Sequence, residues 1–161
     1  MPEGPVVTNN TPLVALWTLG RLDLLEELFG EILIPAAVHE EFLAVESGSR
    51  RFELEPREGL RIVPLTEPRR VLAFTGLDRG EAEVLALAEE RKARLLLIDE
   101  KKARRYARRL GFSVTGTLGV LLLAKQEGLL KSVREAVHKL ETAGLHLHDS
   151  LIARVLGLAG E

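Results

Sequence analysis

Cysteine is missing altogether. Its absence excludes disulfides, thiolate nucleophiles and cysteine-based zinc sites, and leaves any metal to oxygen or imidazole ligands. Aromatic residues make up 4% of the chain, too few for a base-stacking platform. No run approaches the roughly 20 uninterrupted apolar residues that span a bilayer, and the opening MPEGPVV lacks the basic-then-apolar order of a signal peptide. A cytoplasmic protein with no membrane association is the expectation. One Gln, one Met and two Asn among 161 residues, with 29% charged side chains, resemble a thermophile composition, in which thermolabile residues are rare. The net charge of −2 gives no general attraction for polyanions, so only a local basic face could bind nucleic acid. Neither GxGxxG nor GxxxxGK occurs, and dinucleotide and P-loop nucleotide binding therefore have no support.

What is present suffices for a real core: 46% apolar residues in a length that suits one domain, expected to span residues 1–161. The only two asparagines stand side by side in VVTNNTPLVAL, where a short apolar strand hands over to a helix. Thr11-Pro12 reads as a cap followed by a first helical proline, which leaves Asn9 without a capping duty. Asn10 reads as a turn residue. Leu13 to Leu28 has helical spacing broken near Gly20, so two short helices are expected. ILIP is a buried strand, AAVHEEFLAVES a helix, residues 47–59 a polar surface excursion and LRIVPL a strand. Further on, GEAEVLALAEERKA is helical, ARLLLID a strand, EKKARRYARRLG helical and FSV a short strand. Strands alternating with helices imply an α/β fold with a central parallel sheet covered by helices on both faces. Beyond TGTLG the chain is mostly helical, with a capping-box pattern at Ser132 and Glu135 and a last helix from HDSLIARVLGLAG.

In open parallel sheets, ligand sites lie at the carboxyl ends of the strands. The polar residues placed there are Asn9 after VVT, Asp99 after LLLI, and Thr115 to Thr117 after FSV. Helical phase selects two more acids. Glu41 falls at the edge of the Val38, Phe42 and Val45 stripe while Glu40 points away, and Glu81 falls within the Val84, Leu85 and Ala88 face while Glu83 lies outside. An inward acid needs a partner or a metal, because burying an isolated charge is costly. For Glu81 a plainer reading competes: Asp78-Arg79-Gly80-Glu81 has the form of a capping box. The pair His146 and His148 has the spacing of a metal site but no third ligand beside it, and the alternation with Leu145 and Leu147 and a cap at Asp149 explain it more simply.

The segments VVTNNTPLVAL, ILIPAAVHEEF, LDRGEAEVLALA, LLLIDEKKARRYARRLG and VTGTLGVLLLAK, in that order, resemble the PIN-domain family of metal-dependent ribonucleases, especially its VapC-like branch. The resemblance implies a three-layer sandwich with a parallel sheet and acids gathered at one end around Mg²⁺ or Mn²⁺. It puts the family's acids on Asn9, Glu41, Glu81 and Asp99, the four candidate metal ligands and, with Thr117, the candidate catalytic residues. Asn9 departs from the aspartate of the main pattern; an amide oxygen can ligate a hard cation but carries no charge. Lys101, Arg104, Arg105 and Arg108 share one face of the helix after Asp99 and, with Thr115, form a candidate track for RNA phosphates; a solvated surface helix is the alternative reading. A toxin-type ribonuclease with a small cognate antitoxin is thus expected, with a homodimer suggested by the apolar helices after residue 117. A catalytically weak RNA- or protein-binding module and a purely structural module are the competing readings.

Overall fold

The computed structural model describes residues 3–44 and 58–161. The chain builds β1 (Val6–Thr8), α1 (Asn10–Thr18), α2 (Asp23–Phe29), β2 (Ile32–Pro35), α3 (Ala36–Leu43), β3 (Leu60–Val63) and a 3-10 turn (Pro68–Ala73). It continues with α4 (Arg79–Arg91), β4 (Leu95–Leu97), α5 (Lys101–Arg109), β5 (Val114–Thr115), α6 (Thr117–Gln126), α7 (Val133–Thr142) and α8 (Asp149–Leu158). The five strands form one sheet in the order β3-β2-β1-β4-β5, and every pairing is parallel. The expected parallel α/β sandwich is what the chain forms. The polar excursion expected over residues 47–59 lies mostly outside the described residues, as does the end of the AAVHEEFLAVES helix.

Buried parallel strands read as continuous apolar runs because both faces are covered. Val6, Val7, Ile32, Leu33, Ile34, Leu96 and Leu97 are fully inaccessible to solvent. Helix α4 packs on β1 and β2 and on α5, whereas α1 and α2 pack on α6. Helix α3 touches both α1 and α4, so it ties the two helical layers together. This bridging corrects the phase reading of α4. Residues Gly80 to Ala88 are all buried, Glu83 among them, because the sheet covers one side of the helix and α3 another. Glu83 Oε1 accepts the N–H of Ala37 at 3.0 Å, serving the otherwise unpaired start of α3, and Oε2 lies 3.4 Å from Arg79.

The first helix also begins earlier than the sequence suggests. Asn9, extended at φ −85° and ψ 177°, holds the N-cap position without a side-chain capping bond, and Asn10 is the first helical residue. Pro12 then falls at the third helical position, where its missing N–H has no intrahelical acceptor to lose. Asn10 is therefore helical and not a turn residue, and its Oδ1 is buried without a hydrogen-bond partner among the described residues. In α8 the N-cap is His148, and Asp149 is its first-turn acid.

The Ser132 and Glu135 pattern is half realised, with the Glu135 N–H donating to Ser132 Oγ at 3.1 Å. Glu161 serves the next donors of the same helix start. Its carboxylate accepts the N–H of Val133 at 2.7 Å and of Arg134 at 3.2 Å, the Ser132 hydroxyl at 2.8 Å, and Lys125 Nζ at 3.1 Å. The Val133 N–H and these other donors hold the Glu161 carboxyl down at about 2, below its ordinary 4.5. A depressed carboxyl stabilises the fold above its unfolded value and stops doing so as pH falls through its folded one. Glu161→Gln is therefore expected to melt at a lower temperature than wild type at pH 7. The gap should close as the pH falls from 4.5 to about 2, which thermal melts at stepped pH would read directly.

Candidate metal and nucleic-acid site

The strand order reverses direction between β1 and β4. At such a switch point the loops leaving two neighbouring strands diverge and open a crevice beyond their carboxyl ends. Asn9 leaves β1 and Asp99 follows β4, and the register ties them, since the Asn9 N–H donates to Leu97 O at 2.9 Å. Asn9 is 8% exposed, with its side chain free of the capping role its position would allow.

Helix α3 brings Glu41 to the same edge. A Cβ placed on Gly80 would collide with Glu41 Oε1 and lie 3.6 Å from Asn9 Oδ1, so those two oxygens converge over the start of α4 only because residue 80 has no side chain. Glu41 is exposed as a residue, yet its carboxylate makes no hydrogen bond or ion pair with any described residue. Desolvation first, then the charges of Asp78 and Glu81, push its carboxyl above the ordinary carboxylate range.

Glu81 meets the plainer expectation. Its Oε1 accepts the Asp78 N–H at 3.0 Å while its own N–H donates to Asp78 Oδ1 at 2.8 Å, a complete capping box. Burial raises its carboxyl despite the opposing bond from the Asp78 backbone, and the charges of Asp78 and Glu100 raise it further. Glu100, which caps α5 by accepting the Ala103 N–H at 2.7 Å, thus carries the negative field from Glu81 to the neighbour of Asp99. Sequence reasoning does not find Asp78 and Glu100 as members of this group. Their one signal is adjacency, Asp78 three residues before Glu81 and Glu100 directly after Asp99, and adjacency alone is explained by capping.

Asp99 is held from the other side. Its Oδ2 accepts the Thr117 hydroxyl at 2.6 Å and its Oδ1 the Thr117 N–H at 2.9 Å, so one fully buried threonine fixes the orientation of the carboxylate. Gly116 leaves room for this arrangement: a Cβ there would lie 2.5 Å from Asp99 Oδ1 and 3.0 Å from Arg104 Nη1. Arg104 turns inward from α5 and donates to Ile98 O at 3.2 Å. Burial and nearby Arg108 lower its guanidinium from its ordinary value, and Asp99 opposes them. Lys101, Arg105 and Arg108 remain exposed on α5, so the basic face divides into one inward arginine and three outward cations. Thr115 ends β5, with its hydroxyl packed against Gly119.

The sequence-selected residues therefore share the carboxyl edge of the sheet. Asn9, Glu41 and Glu81 surround the start of α4, and Asp99, Thr117 and Arg104 lie beside β5. Among the described residues no three His, Cys, Asp or Glu side chains are already disposed to hold an ion. The donor chemistry nevertheless suits a hard divalent cation, because every candidate ligand is oxygen and the Glu41 carboxylate has no partner among the described residues while like charges crowd it.

A five-stranded parallel sheet covered by helices, with polar residues following β1 and β4 at its switch point, defines an α/β sandwich of the open-sheet class. A family model of PIN domains matches residues 5–161, and the chain belongs to the PIN-domain family. PIN domains are typically nucleases that use divalent metal ions. No curated protein matches the chain. No described helix is long and apolar enough to cross a membrane.

Proposed function

We propose that the chain is a Mg²⁺- or Mn²⁺-dependent ribonuclease of the VapC-like branch, a toxin restrained by a small cognate antitoxin protein. The observation that carries this reading is the convergence of Asn9 Oδ1 and the Glu41 carboxylate over Gly80, at an edge where Asp78, Glu81 and Glu100 add negative charge. When bound, a divalent cation supplies polarisation of the phosphate, activation of a water and neutralisation of charge on the leaving oxygen. Glu41, Glu81 and Asp99 would hold it, with Asn9 as a neutral fourth oxygen donor. Thr117 keeps Asp99 in a single orientation, and Arg104 sets a positive charge beside it. Lys101, Arg105 and Arg108 draw the RNA backbone toward the edge electrostatically.

Cleavage of RNA with Mn²⁺ by the wild type and none by a Glu41→Ala, Asp99→Ala double variant is the expected result. Equal activity in both, or none in either, would overturn the enzyme reading. The pairing of two copies expected from the apolar C-terminal helices has a direct check in the mass of the chain in solution.

A second reading, a catalytically weak module that binds RNA or a protein, is favoured by the neutral amide at position 9. Asn9→Asp separates the two. For an enzyme limited by its missing charge, this variant should bind Mn²⁺ on the order of tenfold more tightly and cleave faster at limiting metal, because ligand charge count tunes affinity for hard cations. For a binding module the added acid only increases repulsion around Glu41 and weakens RNA binding. Calorimetric titration with Mn²⁺ beside a cleavage assay reads both outcomes.

A further inference from the structure

The segment His146-Leu147-His148 contributes nothing to the acidic cluster at the start of α4. It enters α8 with its two imidazoles 6.2 Å apart between ring centroids, and with Arg154 of α8 it lines a cleft of about 430 Å³. Arg104 and Asp99 line the same cleft, and Asp99 is the one acid among the described lining residues. His146, His148 and Arg154 are exposed, and none makes an ion pair or side-chain hydrogen bond with a described residue. Two arginines and two imidazoles thus converge on one cavity with their donors uncommitted, apart from the Arg104 bond to Ile98 O. The rest of the lining is largely apolar, with Leu118, Leu147, Leu151, Val155 and Leu158.

This chemistry selects the ligand. Uncommitted cations and N–H donors around a cavity attract a polyanion, and apolar lining gives the faces of sugars or bases a surface to pack on. The volume falls within the range of about 300 to 1,000 Å³ that encloses small-molecule-sized ligands, the scale of a nucleotide and not of a duplex. A transition-metal site is disfavoured because the two histidines gain no third ligand among the described residues.

We propose that this cleft seats the backbone of a single RNA strand on one side of the cleavage point. His146, His148 and Arg154 contact phosphates there, and Arg104 links them to Asp99. The choice of RNA rests on the ribonuclease reading; the anion-binding geometry does not.

The test uses the full chain and a labelled single-stranded RNA, with binding measured in EDTA over a range of salt and cleavage measured separately with Mn²⁺. The His146→Gln, His148→Gln, Arg154→Gln triple variant should bind about tenfold or more weakly. Its plot of log affinity against log salt should flatten by about 0.7 for each phosphate that the variant no longer neutralises, and its KM should rise with kcat little changed. Arg154→Gln alone should flatten that slope by about the share of one phosphate, which keeps the test open if the triple variant does not fold. Unchanged affinity and slope in a folded variant, or no RNA binding by the wild type, would overturn the proposal. So would a change of solution mass without a change in RNA binding, since the cleft would then be an interface between copies. RNA binding that weakens in the variant while the wild type cleaves nothing would leave the cleft standing and remove the ribonuclease reading.

Discussion

Asp99→Asn is expected to lower Mn²⁺-dependent RNA cleavage about 10²- to 10³-fold, the scale on which a single preorganised electrostatic interaction acts in a transition state. The substitution keeps the volume of the side chain and removes its charge. It also turns one accepting oxygen into a donor, so that one of the two Thr117 groups, the N–H at 2.9 Å or the hydroxyl at 2.6 Å, faces another N–H unless the hydroxyl rotates. The stability cost of an opposed buried polar pair is about 1 to 3 kcal/mol, and a thermal melt must accompany the assay. Thr117→Val provides the companion measurement. It leaves the Asp99 charge and the backbone bond in place, deletes only the hydroxyl that orients the carboxylate, and should lose about tenfold in rate. If Asp99→Asn cleaves at the wild-type rate, Asp99 has no part in the chemistry.

Gly80→Ala is expected to cost about 100-fold in cleavage without loss of stability, a combination that most site variants do not give. Residue 80 is the second residue of α4 and does not need a left-handed conformation, so alanine fits the backbone. Replacing a helical glycine commonly stabilises by about 0.4 to 1 kcal/mol through the unfolded chain. The new methyl, however, occupies the space of Glu41 Oε1. Glu41 sits on the exposed side of α3 and can swing away, which relieves the clash at small energetic cost and removes the carboxylate from Asn9. Activity and melting temperature should therefore move independently. A Gly80→Ala protein with normal cleavage would mean that Glu41 need not occupy the place seen here, and the site assignment would fail at that residue.

The candidate site was legible where backbone topology alone creates it. Strand runs such as Val6-Val7 and Leu95 to Leu97 locate the carboxyl ends of β1 and β4, and whatever follows them, Asn9 or Asp99, must stand at the sheet's edge. The helical acids were a harder case. Phase set Glu41 apart from Glu40, yet both are exposed and only their contacts differ: Glu40 pairs with Arg79 at 3.0 Å, whereas the Glu41 carboxylate reaches Gly80. The same reasoning failed for Glu83 because periodicity assumes one buried face, and α4 is buried on more than one. Glu161 carried no signal at all, since the helix it caps begins 28 residues earlier in the chain.

Taken alone, the sequence determined that strands and helices alternate, that the sheet is parallel, that no thiol chemistry is possible and which polar residues end the strands. These are properties of composition and of short-range pattern, settled within a few residues of each position. Tertiary structure decided what each acid touches: Glu81 shared between a cap and a negative cluster, Glu83 bound to the start of α3, Asp99 clamped by Thr117, and Arg104 turned inward while Arg105 stays in solvent. The reason is physical. A carboxylate's field and hydrogen bonds reach only a few ångströms, so its role depends on which distant segment the fold delivers to that distance.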